Sequence, residues 1–225
     1  MIGATLLLAA AALPSSLLTG LVSYWKFEGN SQDAVGTNHG TDTSVSYALG
    51  NGKINQGAAL NGSRIVTPLT TSLGDFSAGC WFKPSALSST FAERLMDKDF
   101  AVGFWLGRDA SVVGAVPERW GGGVRTALAP YGIYGAALNG VWNHIVTMRE
   151  GTTQRLYING ALSGSATVSG VAMSGAALTF GAQTAGGAFK IQFASIDEAG
   201  LWSRAITAPE VVDWYNAGAG KTHPF

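Results

Sequence analysis

Cysteine is almost missing. Cys80 is the only one in 225 residues, which excludes an intramolecular disulfide and with it a stapled secreted miniprotein. Charge is scarce as well: charged residues make up 12% of the chain, about half the usual share. Fourteen cations balance fourteen acids, so the formal net charge is zero. A nucleic-acid binder needs surplus cations to displace counterions from phosphates, and that class is excluded. No apolar run reaches the ~20 residues that span a bilayer. A phosphate loop is also lacking, because no Lys-Ser/Thr follows Gly121-Gly122-Gly123. What the chain does have is 47% hydrophobic residues and 31 glycines. That content excludes a disordered chain and supplies a sizeable core. The sparse charge favours association, so an assembly or an anchored state fits better than a free monomer.

Met1 to Gly20 carries no charge, and its apolar run Leu6 to Leu13 closes at Pro14. The run has the length of a signal-peptide h-region but lacks the cationic n-region, since the first cation is Lys26. Residues 1–20 are therefore expected to be an apolar docking segment that needs a neighbour to bury it; an uncleaved signal-like leader is the alternative.

From Leu21 onward, short β-prone runs are broken by Gly, Asn and Ser about every ten residues, the spacing of an antiparallel sandwich or barrel. Leu21 to Phe27, Phe76 to Pro84, Ala101 to Gly107 and Trp142 to Arg149 read as strands. Asn159-Gly160 between alternating runs predicts a tight hairpin, because both residues tolerate positive φ. Asp97-Lys98-Asp99 is expected at a solvated hairpin tip. Thr207 followed by Ala208, Pro209 and Glu210 predicts a capped helix that stops within Asn216 to Gly220. No composition break or repeat divides residues 21–225, so one β domain is expected.

Four segments then match a known family in order: Gly20 to Asn30 with Asp33 and Asn38-His39-Gly40-Thr41; Gly57 to Gly62; Phe76 to Pro84; and Trp142 to Val146 with Arg155 to Gly160 and Ile196 to Ala199. The chain resembles the LamG-like members of the concanavalin A-like lectin/glucanase superfamily, of the kind found in phage virion proteins. The resemblance implies an all-β, antiparallel two-sheet jelly-roll sandwich with a short C-terminal helix and an apolar N-terminal arm. It places Trp25, Phe27, Trp81, Trp142, Tyr157 and Trp202 at framework positions, in the core. It also implies a structural Ca²⁺ held by Asn30, Asp33 and Asp197, which supply hard oxygen ligands. The simpler role for these carboxylates is to cap turns and bind backbone amides.

Trp105 and Trp120 fall where the family match is poorest. Trp120 precedes three glycines, which suits an exposed loop presenting an aromatic to a sugar ring, and both are candidate ligand-binding residues. Catalytic residues are not expected. Retaining glycoside hydrolysis needs two carboxylates about 5 Å apart, and no Glu-x-Asp spacing occurs. Asp197-Glu198 are neighbours whose side chains should point to opposite faces of a strand. His39, His144 and His223 share no metal-ligand spacing, no Gly-x-Ser-x-Gly motif occurs, and Cys80 is expected to be an inert core thiol.

The expectation is a non-catalytic attachment module of a virion: a capsid decoration, head fibre or tail-associated adhesin. Its expected partners are other virion subunits or copies of itself, met through residues 1–20, and a host-surface glycan. A secreted or cell-surface carbohydrate-binding lectin-like domain is the alternative.

Overall fold

The computed structural model describes residues 16–85, 92–99, 102–108, 119–126, 129–168, 175–184 and 187–225. Along these run β1 (Leu21–Trp25), β2 (Thr41–Thr43), β3 (Ser46–Ala48), β4 (Gly57–Leu60), β5 (Arg64–Val66), β6 (Phe76–Pro84), β7 (Glu93–Lys98) and β8 (Gly103–Arg108). Then come β9 (Arg119–Thr126), β10 (Ala129–Ala136), β11 (Asn143–Glu150), β12 (Thr153–Ile158), β13 (Ala161–Thr167), β14 (Leu178–Phe180), β15 (Ala194–Trp202) and α1 (Ala208–Tyr215).

All pairings are antiparallel, and they build two sheets. The eight-stranded sheet runs β13-β12-β11-β6-β15-β4-β3, with β1 also on β15. β4 takes the first residues of β15 and β1 the last, so the two share one edge of it. The seven-stranded sheet runs β10-β9-β8-β7-β14-β5-β2. This is the expected jelly-roll sandwich with a short C-terminal helix.

Period-two alternation turns one face of each strand inward. Trp25, Phe27, Phe82, Phe104, Leu106, Trp120, Leu156 and Phe180 fill the space between the sheets. The rings pack edge to face, with Phe180 5.0 Å from Trp25 and 5.4 Å from Phe27. A second apolar cluster lies on the opposite face of the eight-stranded sheet, where Leu17, Tyr24, Val146, Met148, Tyr157, Trp202, Val211 and Trp214 are buried together. The helix exists to cover that face. Leu17 belongs to this cluster, and its carbonyl accepts from Trp202 Nε1 at 2.7 Å, so residues 16–20 pack on the domain. Residues 1–15 lie outside the described residues, and the expected docking segment falls largely on them.

Local signals decided several elements. β6 has the bounds its sequence predicts. Asn159 (φ 51) and Gly160 (φ 79) form the turn between β12 and β13. Thr207 accepts from Glu210 N while its own N–H donates to the Glu210 carboxylate at 2.6 Å, a complete capping box.

The expected solvated tip at Asp97-Lys98-Asp99 is corrected. Asp97 and Lys98 belong to β7 and are fully buried. Lys98 Nζ donates to Leu69 O and Ala176 O at 3.2 and 2.5 Å, and burial lowers its pKa to about 8. Carbonyls from outside its own strand, absent from any local window, make the buried ammonium tolerable.

Candidate functional site

Neither tryptophan singled out for sugar recognition presents its ring to solvent. Trp120 lies inside β9, in the inter-sheet core, 4.6 Å from the Phe82 ring. The three glycines after it are strand, not loop. A Cβ on Gly122 would lie 2.8 Å from Thr147 Cβ of the facing sheet, and one on Gly121 would lie 2.4 Å from Ile133 O of the next strand. Glycine is there because the backbones approach too closely for a side chain.

Trp105 is also fully buried, but it belongs to neither apolar cluster. Its neighbours Phe104 and Leu106 face the core, so alternation turns Trp105 to the opposite face of the seven-stranded sheet. There the Arg94 guanidinium lies 4.6 Å over its ring and Tyr134 stands 5.8 Å away. Arg94 Nε is 3.7 Å from Asp97 Oδ2, and Phe189 covers the guanidinium at 5.3 Å. This is a packed polar and aromatic layer, not a stacking platform.

The residues implied to hold Ca²⁺ do not fit it. Asp33 Oδ1 accepts from Tyr24 N (3.1 Å) and Val35 N (3.0 Å), and Oδ2 from Asn38 N (3.1 Å). Burial pushes this carboxyl up, but amide donors outweigh it and hold the pKa below the ordinary value. Asp197 Oδ2 accepts from Lys53 N (2.8 Å) and Ile54 N (2.9 Å), and Oδ1 from Glu198 N (2.9 Å). Asn30 Oδ1 accepts from Gln32 N. A cation needs oxygens that face it with their lone pairs, and these oxygens face N–H donors. No group of three or more His, Cys, Asp or Glu side chains suited to a metal occurs among the described residues. Asp33 and Asp197 tie loops down.

Asp197 and Glu198 do not alternate as expected. Ile196 and Ala199 both face the core, which the register shift between Asp197 and Gly200 and the positive φ of Glu198 (48°) make possible. Glu198 is fully buried beside the hydroxyls of Tyr24 and Thr222, which partly offset the cost of its burial. Burial raises Asp197 to about 8 and Glu198 to about 7.

The one tryptophan left partly in water lies elsewhere. Six of the seven tryptophans are buried, and Trp142 is only half-buried. Read as framework core, it sits instead in the turn between β10 and β11, just before Asn143. Asn143 is buried and holds that turn: its Oδ1 accepts from Leu138 N at 3.0 Å, and its Nδ2 donates to Leu138 O and Val141 O at 2.8 and 3.0 Å. Lys83 Nζ stands 5.4 Å over the Trp142 ring.

Exposed apolar side chains gather at this end of β6. Gly140 N donates to Pro84 O and Ser85 N to Phe193 O, while Lys83 reaches Gly50 O at 3.4 Å. Leu49, Leu138, Val141 and Phe193 are thereby brought around Lys83 and Pro84, with exposures of 72, 64, 46 and 51%. Exposed Asn139 adds an amide. A held loop, an indole, a cation and an apolar rim are what recognition of a ring with both C–H and hydroxyl faces requires. A local window could not find this site, because β6, the Leu49 turn and the start of β15 are far apart in sequence.

Comparison with known structures follows this geometry. Domain 4 of AbnA, a GH43 extracellular arabinanase from Geobacillus stearothermophilus, in complex with arabinotriose, matches with a TM-score of 0.66 at 24% identity, over 86% of this chain and 97% of that one. The binding domain of Paraclostridial Mosquitocidal Protein 1 matches with a TM-score of 0.70 at 18% identity, over 88% of this chain and 52% of that one. The botulinum neurotoxin type G receptor-binding domain gives 0.68 at 15% identity, over 89% and 52%. The chain thus spans about half the length of these toxin domains, and at such identities the likeness establishes the fold. No curated protein matches the chain in sequence. A family model described as the concanavalin A-like lectin/glucanases superfamily matches residues 51–212, most of the sandwich, and the chain belongs to that superfamily in its laminin G branch.

Proposed function

We propose that this chain is a non-catalytic carbohydrate-binding module that attaches to a glycan through the Trp142 end of the sandwich. The observation that carries the reading is the exception among the tryptophans. Six are buried, and the seventh is only partly buried on a loop pinned by Asn143, beside Lys83 and an apolar rim. Burying a large ring normally stabilises a fold by about 1.5–3 kcal/mol, so an aromatic left partly in water points to a partner. The fold supports the reading: the matched arabinanase domain is in complex with arabinotriose, and the matched toxin domains are binding or receptor-binding domains. Non-catalysis is part of the proposal. Asp197 binds three backbone amides, and Glu198 lies fully buried next to it. A glycan array probed with the full chain should give hits that Trp142→Ala abolishes; an array without hits, or hits untouched by that substitution, overturns the assignment.

A second element of the proposal concerns setting. The uncharged apolar stretch before Ser16 and the sparse charge support a virion subunit that buries that stretch against a neighbour, over a secreted or cell-surface module. No helix among the described residues is long and apolar enough to cross a membrane. Mass spectrometry of purified particles should find many copies with an intact Met1 terminus; recovery of a shortened chain from culture medium would favour secretion.

A further inference from the structure

The Trp142 end carries more than an aromatic. Lys83 is the cation there, and among the described residues its side chain makes one long hydrogen bond, 3.4 Å, to Gly50 O. Lys53 is placed similarly, 4.7 Å over the Trp81 ring, whereas several other cations are differently placed. Lys221 pairs with Asp213 at 2.6 Å, Arg155 with Glu150 at 3.0 Å, and Arg204 with Glu210 at 2.6 Å. Lys98 is buried among carbonyls. Lys83 has no carboxylate within ion-pair distance among the described residues; its cross-strand partner is Ser195, and exposed Leu49, Leu138, Asn139, Val141 and Phe193 lie at the same end of the sandwich. Its ammonium is held over the indole face, where the ring quadrupole stabilises it and fixes its direction.

We infer that the saccharide taken at this end is acidic, a uronic or sialic acid whose carboxylate meets Lys83 beside the Trp142 ring. The inference rests on the glycan-binding reading and narrows it. The charge geometry favours this class over a neutral sugar. A carboxylate arriving at Lys83 displaces no protein carboxylate, whereas a neutral hydroxyl leaves the cation unneutralised beside an apolar rim. Asn139 remains available for a hydroxyl. An exposed ion pair is modest in strength and screened by salt, so the preference is small and salt-dependent.

Calorimetry with the full chain tests this on two matched pairs: trigalacturonate against its methyl ester, and sialyllactose against lactose. The expected result is that at least one acid form binds about fivefold tighter than its neutral partner in 20 mM salt and loses that margin in 0.5 M salt. Lys83→Met should erase the margin, Lys83→Arg should keep it, and Trp142→Ala should weaken acid and neutral forms together. Equal affinity for acid and neutral forms, or a margin that survives Lys83→Met, overturns the acidic assignment while leaving glycan binding intact. Silence from all four ligands also overturns it, and the array with neutral glycans then decides the parent reading separately.

Discussion

Arg204 grips Glu210 through two near-parallel hydrogen bonds, 2.8 and 2.6 Å long, and so joins the end of β15 to the first turn of α1. The same carboxylate caps Thr207 N. Arg204 first of all, with the Thr207 amide helping, holds Glu210 down to about 2. Glu210→Ala removes a charge-assisted pair and half of the capping box together. The expected cost is about 1–2 kcal/mol, read as a lower midpoint in urea with an unchanged slope. An unaltered midpoint would mean that packing alone positions the helix.

His144 should govern the acid limb of stability. It is fully buried between Trp81, Trp214 and Tyr215, with ring centroids at 5.1, 4.5 and 6.1 Å, and neither nitrogen has a hydrogen-bond partner. Burial depresses its pKa to about 3. The unfolded chain therefore takes up a proton near pH 6.5 that the folded chain refuses, so the contribution is present above that pH and is lost as pH falls toward 3. His144→Phe keeps a ring in the site and should flatten the decline in melting temperature between pH 6.5 and 4. An identical decline in the variant would place the acid sensitivity elsewhere.

Asp197 and Glu198 act in the opposite direction. Their folded pKa values, about 8 and about 7, lie above the unfolded ones, so folding holds their protons. Their contribution is complete below pH 4 and is lost as pH rises through 7 and 8. The melting temperature should fall from pH 6 to 9, and Glu198→Gln, which cannot ionise, should reduce that fall. A fall of the same size in the variant would exonerate Glu198.

Gly122 and Gly74 make a matched pair of tests. Gly122→Ala forces a Cβ within 2.8 Å of Thr147 Cβ, and overpacking of this kind costs about 1–3 kcal/mol. Nothing lies within 4 Å of a Cβ on Gly74, so Gly74→Ala should change stability by less than about 0.5 kcal/mol. Equal effects in thermal melts would contradict the close approach of β9 and β11.

Trp120 and Trp142 should separate stability from recognition. Trp120→Ala empties a place in the core and should cost about 3–5 kcal/mol. Trp142→Ala should leave the chain folded and remove glycan binding. Circular dichroism and calorimetry on both proteins would expose a reversed pattern at once.

Much of this molecule was legible one segment at a time. The Asn159-Gly160 turn, the span of β6 and the Thr207 to Glu210 cap follow from φ preferences, alternation and reciprocal hydrogen bonding within a few residues, and these need no knowledge of the rest of the chain. The four framework segments together implied the two sheets. Where sequence logic failed, the deciding partner was remote. Gly121 to Gly123 reads as a loop until Thr147 and Ile133 close in on both sides of the strand. Asp97 and Lys98 read as solvent-facing until Thr184, Leu69 and Ala176 supply their hydrogen bonds. Trp142 reads as core because the resemblance puts it at a framework position, yet the Asn143 side chain pins the loop before β11 and leaves the indole only partly buried there. Local chemistry set which segments form strands, turns and the helix; whether a given charge or ring is buried was decided only when segments tens of residues apart came together, because burial depends on what lies across the sheet and not on what lies along the chain.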